Sequence, residues 1–474
     1  MGVLPDIDIS VQDGGLGRAG STSDILGAVG VGSVAQSGVV LLSSFEDVRT
    51  KVGDGPLRDF LAGVYSQVTV PCYAKVLPGS TAGTISAITS GSSNAGVGSL
   101  TAAGSPANAY SLKVVVESDG GLNSATFHIN RNGLKGKEIT VPQNGSYAIP
   151  NTGITLTFSP GSPSSGQVSF KKGDEFSFTT TVPSATNEEL LSGVDDLKNA
   201  GAELRHIAVA GITASAFWAA FAAKLESYTD EHLWTWGSAA ARARSSSEAA
   251  DAYISALAGS ERGSVWSKRL MVSAAWLDVV DIEGLRAKRN AHGKLIGRIF
   301  GNNVATSPGW TRLGPLPGVE KILYDLTPTS IKTLGNVGYA TCRHYDGKKG
   351  VYVSDSHLMT DDTSDFDTSI RIEVMNKACR VVREAQFPYL KQGFDVLSDG
   401  RVPELEQVVA AGEQALDLMA RDKEISSGKI EIADDQDILA TKSISEEITI
   451  IPRGQIDEIK ATIRFENPNL GGNE

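Results

Sequence analysis

Alternation of apolar and polar positions opens the chain. Val3, Ile7, Ile9 and Val11 share one side of an extended segment, and Gly14-Gly15-Leu16-Gly17 reads as a hinge behind it. A lone strand cannot satisfy its own backbone, so residues 1–20 are expected to form an arm that joins a sheet elsewhere, in this chain or another. Strands are predicted at Ile25 to Val31, Val39 to Leu42 and Cys72 to Leu77, with helices at Phe45 to Val52 and Leu57 to Val68. From 79 to 188 the composition shifts to Gly, Ser, Thr and Asn. Short alternating strands are predicted there at Ser111 to Glu117, Ala125 to Asn130, Lys137 to Val141, Ile154 to Phe158, Gln167 to Lys171 and Glu175 to Thr181. With turns at Asn132-Gly133 and Asn144-Gly145, this reads as an inserted antiparallel β-sandwich or barrel.

An α/β rhythm returns after 188. Helices at Asn187 to Ala200, Ala214 to Tyr228, Ser246 to Leu257 and Ile282 to Gly301 alternate with strands at Leu204 to Val209, His232 to Gly237 and Leu270 to Ala275. Strands separated by helices of this length imply a mainly parallel or mixed sheet covered on both faces. Pro328 to Leu334 reads as a short helix, and Asp346-Gly347 as the turn between strands Tyr339 to Arg343 and Gly350 to Ser354. A helix starting near Thr368 carries Ile370, Ile372, Val374, Ala378, Val381 and Val382 roughly on one side and Arg371, Lys377, Arg380 and Arg383 over much of the rest. Glu404 to Arg421 is amphipathic, with Leu405, Val408, Val409, Leu416 and Met419 toward one face and Glu404, Glu406, Glu413 and Asp417 away from it. Strands are predicted at Lys429 to Ala433, Ser443 to Ile451 and Glu458 to Phe465.

The expected fold is therefore an α/β core built discontinuously, from 21–78 and 189–400. An all-β domain at 79–188 is looped out, and a C-terminal helix, strands and arm occupy 401–474. At 474 residues the chain exceeds one ordinary core. A net charge of −12 leaves no basic excess to release counterions from a phosphate backbone, which argues against nucleic acid as a direct ligand. No apolar run is long enough to span a bilayer, so no membrane insertion is expected. The N-terminus has no basic or apolar region of an export signal, and Asp6 stands where a myristoylation signal needs Ser or Thr. Cys72, Cys342 and Cys379 are too few and scattered for a disulfide framework and read as small buried residues in a reducing cytoplasm.

Candidate chemistry is sparse. There is no nucleophile elbow, phosphate loop or zinc helix, and the six histidines never recur at ligand spacing, so no cofactor, metal or catalytic residue is expected. His357 with Asp355, Asp361, Asp362, Asp365 and Asp367 could hold a divalent ion or act as an acid/base pair, against the plainer reading of an acidic loop capping the next helix. Gly30-Val31-Gly32-Ser33-Val34-Ala35 fits a dinucleotide fingerprint, but Ser37-Gly38 and Val39-Val40 stop the helix that it requires. Trp234 and Trp236, with Trp266, Trp276 and Trp310, suggest a carbohydrate platform, against a plainer core reading in which the first two share a strand face.

The order of short motifs resembles contractile-tail sheath proteins. It runs Leu334-Gly335-Asn336-Val337-Gly338, Gly350-Val351-Tyr352-Val353, Met359-Thr360, Arg371, Asn376-Lys377 and Arg380. SSFEDVRTKVG and VTVPCYAKVLPG near the N-terminus, and Glu447 to Pro452 with Ile456, Ile459, Ile463 and Phe465 near the C-terminus, resemble further segments of that family. The resemblance implies a structural protein that polymerises with itself in hexameric rings, stacked helically around a tail tube protein. It also implies contact with baseplate and tail terminator proteins, assembly in a bacterial host cytoplasm, and contraction that drives the tube through a cell envelope. Val3, Ile7, Ile9, Val11, Ile444, Ile448, Ile450, Ile459, Ile463 and Phe465 are then expected in inter-subunit strands, because strand addition stitches neighbours through backbone hydrogen bonds. The charged helix faces of Arg371, Lys377, Arg380, Arg383 and of Glu404, Glu406, Glu413, Asp417 are candidates to face the tube. The competing reading is an α/β hydrolase or glycan-acting enzyme with an accessory β-sandwich.

Overall fold

The computed structural model describes residues 24–324, 326–361, 363–432 and 436–465. Val3, Ile7, Ile9 and Val11 lie outside the described residues, as does Asp362. The chain divides into two units, 1–380 and 381–474.

In the first unit, strands β1 (Ile25–Val31), β2 (Val39–Leu42), β3 (Cys72–Leu77), β4 (Leu204–Ile212), β5 (Trp236–Ala240) and β6 (Leu270–Ser273) come first in the main sheet. β7 (Trp276–Val280), β8 (Arg286–Asn290) and β9 (Val319–Ile322) form a separate three-stranded sheet. β10 (Tyr339–Arg343) and β11 (Tyr352–Asp355) return to the main sheet, whose eight strands run in the order β2-β3-β1-β4-β5-β6-β10-β11. Pairings are parallel except at the two ends, β2–β3 and β10–β11. Strands from before and after the Gly/Ser/Thr-rich segment thus lie side by side, with β1 between β3 and β4. β1 is a continuous apolar run because both of its faces are covered.

Helices α1 (Pro56–Tyr65), α2 (Asn187–Asn199), α3 (Ser215–Asp230), α4 (Ala250–Ala258), α5 (His292–Phe300) and α6 (Pro328–Asn336) surround the sheet. Leu57, Leu61, Leu295 and Ile299 from α1 and α5 enter one core, and Leu190, Phe217, Phe221 and Leu257 from α2, α3 and α4 enter a second. α2 starts where it does because Thr186 and Glu189 form a reciprocal capping box. α1 and α5 cross on glycines: a Cβ on Gly63 would stand 2.9 Å from the Gly293 carbonyl carbon, and one on Gly293 would meet the Phe60 carbonyl oxygen. Gly293→Ala is therefore expected to lose about 1–2 kcal/mol net, since backbone overlap outweighs the gain in helix propensity. A urea melt of the variant checks this.

Strands between residues 89 and 179 build two antiparallel sheets over their own core of Leu112, Val114, Phe127, Leu156, Phe158 and Phe176. No strand order there closes a barrel among the described residues. Two bridges, Thr81 to Ser184 and Ile85 to Thr180, pair the chain where it enters and leaves. A latch sits beside this neck. Asn108 Nδ2 donates to Asp54 Oδ1 at 3.0 Å and to Asp59 Oδ2 at 2.9 Å, and Tyr110 Oη donates to Asp54 Oδ2 at 2.5 Å. Arg58 and Arg289 hold Asp59 from the body side, at 3.2 and 2.8 Å.

Several expected elements differ. The helix expected over Ile282 to Gly301 begins only at His292, because Asp281 Oδ1 accepts from the backbone of Glu283 and Leu285 and Gly284 takes a positive φ, which turns β7 into β8. Phe45 to Val52 is one short α turn followed by a π turn. Gln167 to Lys171 forms only a bridge from Phe170 to Gly120, since Asp174 accepts from Lys171 and folds the segment into a turn. Trp234 precedes β5, so it shares no strand face with Trp236, whose ring is fully buried. Among the described residues no helix is long and apolar enough to cross a membrane.

Candidate functional site

The second unit contains Ile444, Ile448, Ile450, Ile459, Ile463 and Phe465 of the expected strand arms and Arg383, Glu404, Glu406, Glu413 and Asp417 of the expected charged faces. Helix α8 (Leu405–Arg421) packs on an antiparallel pair, β12 (Ile425–Ile432) and β13 (Glu446–Pro452). Two glycines permit the approach, since a Cβ on Gly412 would lie 2.5 Å from Ile430 Cδ1 and one on Gly428 would lie 2.7 Å from Leu416 Cδ1. Val408, Leu416, Met419, Ile425 and Ile430 are buried there. A two-stranded ladder leaves two outer edges. On β12, the outward N–H of Ile430 is taken by Glu413 Oε1 at 3.1 Å. Ile448, opposite Ile430, therefore also sits in a non-hydrogen-bonded pair with its N–H directed outward. Along β13, besides the ladder bonds, the one backbone group with a partner among the described residues is the Pro452 carbonyl, which accepts from Ser426 Oγ of the paired strand β12.

Beyond β13 the sequence promised a further strand from Glu458 to Phe465. Instead residues 453–465 have no regular structure, and Ile456, Ile459, Ile463 and Phe465 are exposed, Ile463 at 94%. An extended segment becomes a strand only where another strand accepts its backbone bonds, and this chain supplies none to it among the described residues. Ile444 also falls outside the ladder, in a turn where Gln436 bonds the Ser445 backbone at both its N–H and its carbonyl. Ile448 and Ile451 remain exposed on β13 and Ile450 is half-buried.

The charged faces are corrected in part. Helix α7 (Ser369–Gln386) spans the boundary between the units. Arg380 is buried, donating to the Trp234 carbonyl at 3.0 Å and lying 3.5 Å from Glu203, so it belongs to the interior of the body. Arg371 and Lys377 are half-buried, and Arg383 is exposed, its guanidinium 5.4 Å from the Phe387 ring. On α8, Glu413 points to β12 and not away from it, while Glu404 accepts from the Asp395 backbone at 2.8 Å. Glu406 and Asp417 are exposed.

Polar anchors on α7 were not legible as such. Glu373, fully enclosed, takes the Arg205 guanidinium in a fork, Nε to Oε1 at 2.9 Å and Nη2 to Oε2 at 2.8 Å, and accepts from Trp236 Nε1 at 3.2 Å. Asn376 Oδ1 accepts from Arg269 Nη1 at 2.8 Å. A second buried cluster joins His206, Ser238 and His292, with Ser238 Oγ 2.7 Å from one Nε2 and 2.5 Å from the other. Desolvation pushes His206 far below the usual imidazole range and His292 down to about 3. Ser238 is fully buried, so no substrate reaches this hydroxyl.

The other candidates do not converge. His357 Nε2 stands 3.8 Å from Asp355, and Asp361 is spent on the Thr363 hydroxyl and N–H, which hold its carboxyl below the usual range. No group of three ligand-type side chains gathers among the described residues. In the glycine fingerprint, the N–H groups of Gly32, Ser33 and Val34 donate to the carbonyls of Leu77, Asp54 and Val52, so none is free for a phosphate.

The family described as DUF2586 matches in both its parts, the N-terminal domain over residues 4–357 and the C-terminal domain over 365–470. No curated protein matches the sequence. Among solved structures, the helical sheath of the anti-feeding prophage in its contracted state is similar at 12% identity and a TM-score of 0.55, covering 98% of this chain and 99% of that one. The sheath complex of an extracellular contractile injection system, PVC, in its contracted state is similar at 8% identity and a TM-score of 0.54, covering 99% of each. The anti-feeding prophage baseplate in its contracted state gives 9% identity and a TM-score of 0.53, covering 99% of this chain and 100% of that one. The chain belongs to the DUF2586 family, and its fold is that of contractile-sheath subunits.

Proposed function

We propose that this protein is the structural subunit of a contractile tail sheath. It polymerises in stacked hexameric rings around an inner tube, attached to a baseplate and closed by a terminator, and shortens to drive the tube through a target envelope. Assembly takes place in the bacterial host, and the particle carries the chain in its tail. The body is the discontinuous α/β core, and the links are its terminal arms. The observation that carries this reading is the open outer edge of β13, followed by a segment without regular structure whose Ile456, Ile459, Ile463 and Phe465 are exposed, in a chain with the sheath fold. Strands from neighbouring copies complete such an edge through backbone bonds, which survive a large rotation of the bodies because they do not depend on body-to-body contact. The tube is gripped by exposed charges, Arg383, Glu406 and Asp417 with the half-buried Arg371 and Lys377. Surface pairs of this kind contribute only roughly 0–1 kcal/mol each and release together.

Ile448→Pro removes an outward donor while leaving the internal ladder bonds in place, and deletion of residues 1–18 removes the other arm. Both variants are expected to fold and to form no long sheaths in negative stain, whereas Ile448→Ala keeps the donor and assembles. Tubes of ordinary length from Ile448→Pro and from the deletion would rule out the terminal strands as the link.

A further inference from the structure

Most of the chain's acidity sits at one end. Residues 381–474 hold ten Lys and Arg against nineteen Asp and Glu, a net of −9 out of −12 for the whole chain. In the first unit, by contrast, one surface collects cations that no carboxylate neutralises. Arg312 follows Trp310 in the loop after α5, and Arg343, Lys348 and Lys349 surround the β10–β11 turn. The two loops meet: Leu316 N–H donates to the Val351 carbonyl at 2.7 Å, and a Cβ on Gly350 would lie 2.5 Å from Pro315 Cβ. Arg298 fixes the first loop by donating to the carbonyls of Leu313, Gly314 and Pro315. None of the four cations has an ion-pair partner among the described residues, and Asp346 is the one acid in the turn. Both arginines lie over aromatic rings, Arg343 4.3 Å from Tyr345 and Arg312 5.9 Å from Trp310, which is half exposed.

We infer that this basic aromatic surface is a docking site for the acidic C-terminal unit of a second copy of the chain. Exposed Trp310 and Arg312 and half-buried Tyr345 and Arg343 are of the residue types that dominate protein interfaces, whereas plain solvated lysines would not be preordered on rings. A second copy is the fitting partner because the same chain carries the complementary charge, and subunits of net −12 repel one another unless opposite patches meet. The inference rests on self-assembly as proposed above, and it assigns a body contact distinct from the strand links.

The test compares full-length wild type with Arg312→Glu/Lys348→Glu/Lys349→Glu, three exposed positions, and with the same variant carrying Arg343→Glu at the half-buried end of β10, each with a melting curve beside it. Sedimentation at low and high salt registers pairwise association whether or not tubes grow. Wild type is expected to associate about tenfold more tightly than the variant at low salt, with the gap closing as salt screens the charges. Mixing the variant with Glu384→Lys/Asp395→Lys, exposed acids of the C-terminal unit outside the tube-facing set, is expected to restore part of the loss. Equal association of variant and wild type at every salt concentration overturns the inference, as does a variant that loses only its retention on a polyanion resin. A wild type that pairs through this patch yet never forms tubes counts against the sheath reading and leaves the patch intact.

Discussion

Glu373→Ala is expected to lower the unfolding free energy by about 3–5 kcal/mol, the range found when one partner of a buried pair is removed. Arg205 would keep only Asp24, a largely exposed acid 3.0 Å away, for a guanidinium that is 4% exposed. Trp236 would lose the acceptor for its indole N–H in the same step. The loss comes from leaving a charge stranded, so the double variant Arg205→Met/Glu373→Met, which removes both charges, is expected to recover much of it. Urea melts of the three proteins decide the matter. A single variant that melts like wild type would mean that Arg205 finds water or another acid at no expense, and would remove Glu373 as an anchor of α7.

Acid is expected to weaken the body through His206 and His292. Each is buried neutral, with its folded value below that of the unfolded chain, so the stabilisation it gives is complete above about pH 6.5 and is lost as pH falls toward the folded value. With His292 at about 3, lowering the pH from 7 to 5 costs about 2 kcal/mol at this residue alone, and His206 adds in the same direction. The shared hydroxyl gives the effect a structural basis. Ser238 has one proton, so it donates to one ring and accepts from the other, and protonating the accepting ring breaks that arrangement. His292→Gln is expected to shrink the difference in stability between pH 7 and pH 5 by about 2 kcal/mol. An unchanged difference would place the acid sensitivity elsewhere.

Much of the main sheet was legible because its signals are local. β1, β2, β3 and β10 occupy the residues their apolar runs indicated, and Asp346-Gly347 turns β10 toward β11. What sequence periodicity missed depends on partners distant in the chain. Arg380 looked like part of a basic face because nothing in its own helix shows that it reaches the Trp234 carbonyl. Glu413 looked like an outward acid although it caps a strand that follows it. Ile459, Ile463 and Phe465 alternate as a strand would, but alternation states only what a segment can do when another strand is offered to it. The β7–β8 turn had a local signal, Asp281 with Gly284, that the surrounding run of helix formers outweighed. His206, Ser238 and His292 come from three elements, and no spacing rule links them.

The latch of Asn108 and Tyr110 on Asp54 and Asp59 has a practical consequence. A domain tethered only by a two-stranded neck would swing about it, and anything attached to that domain would report its own wobble. Fastened at a third point, by hydrogen bonds to Asp54 and to Asp59, which two arginines already hold, the insertion turns as the body turns. A rigid probe placed on its exposed surface, at Lys137 for instance, becomes a pointer whose angular displacement measures rotation of the subunit directly, with no play to subtract.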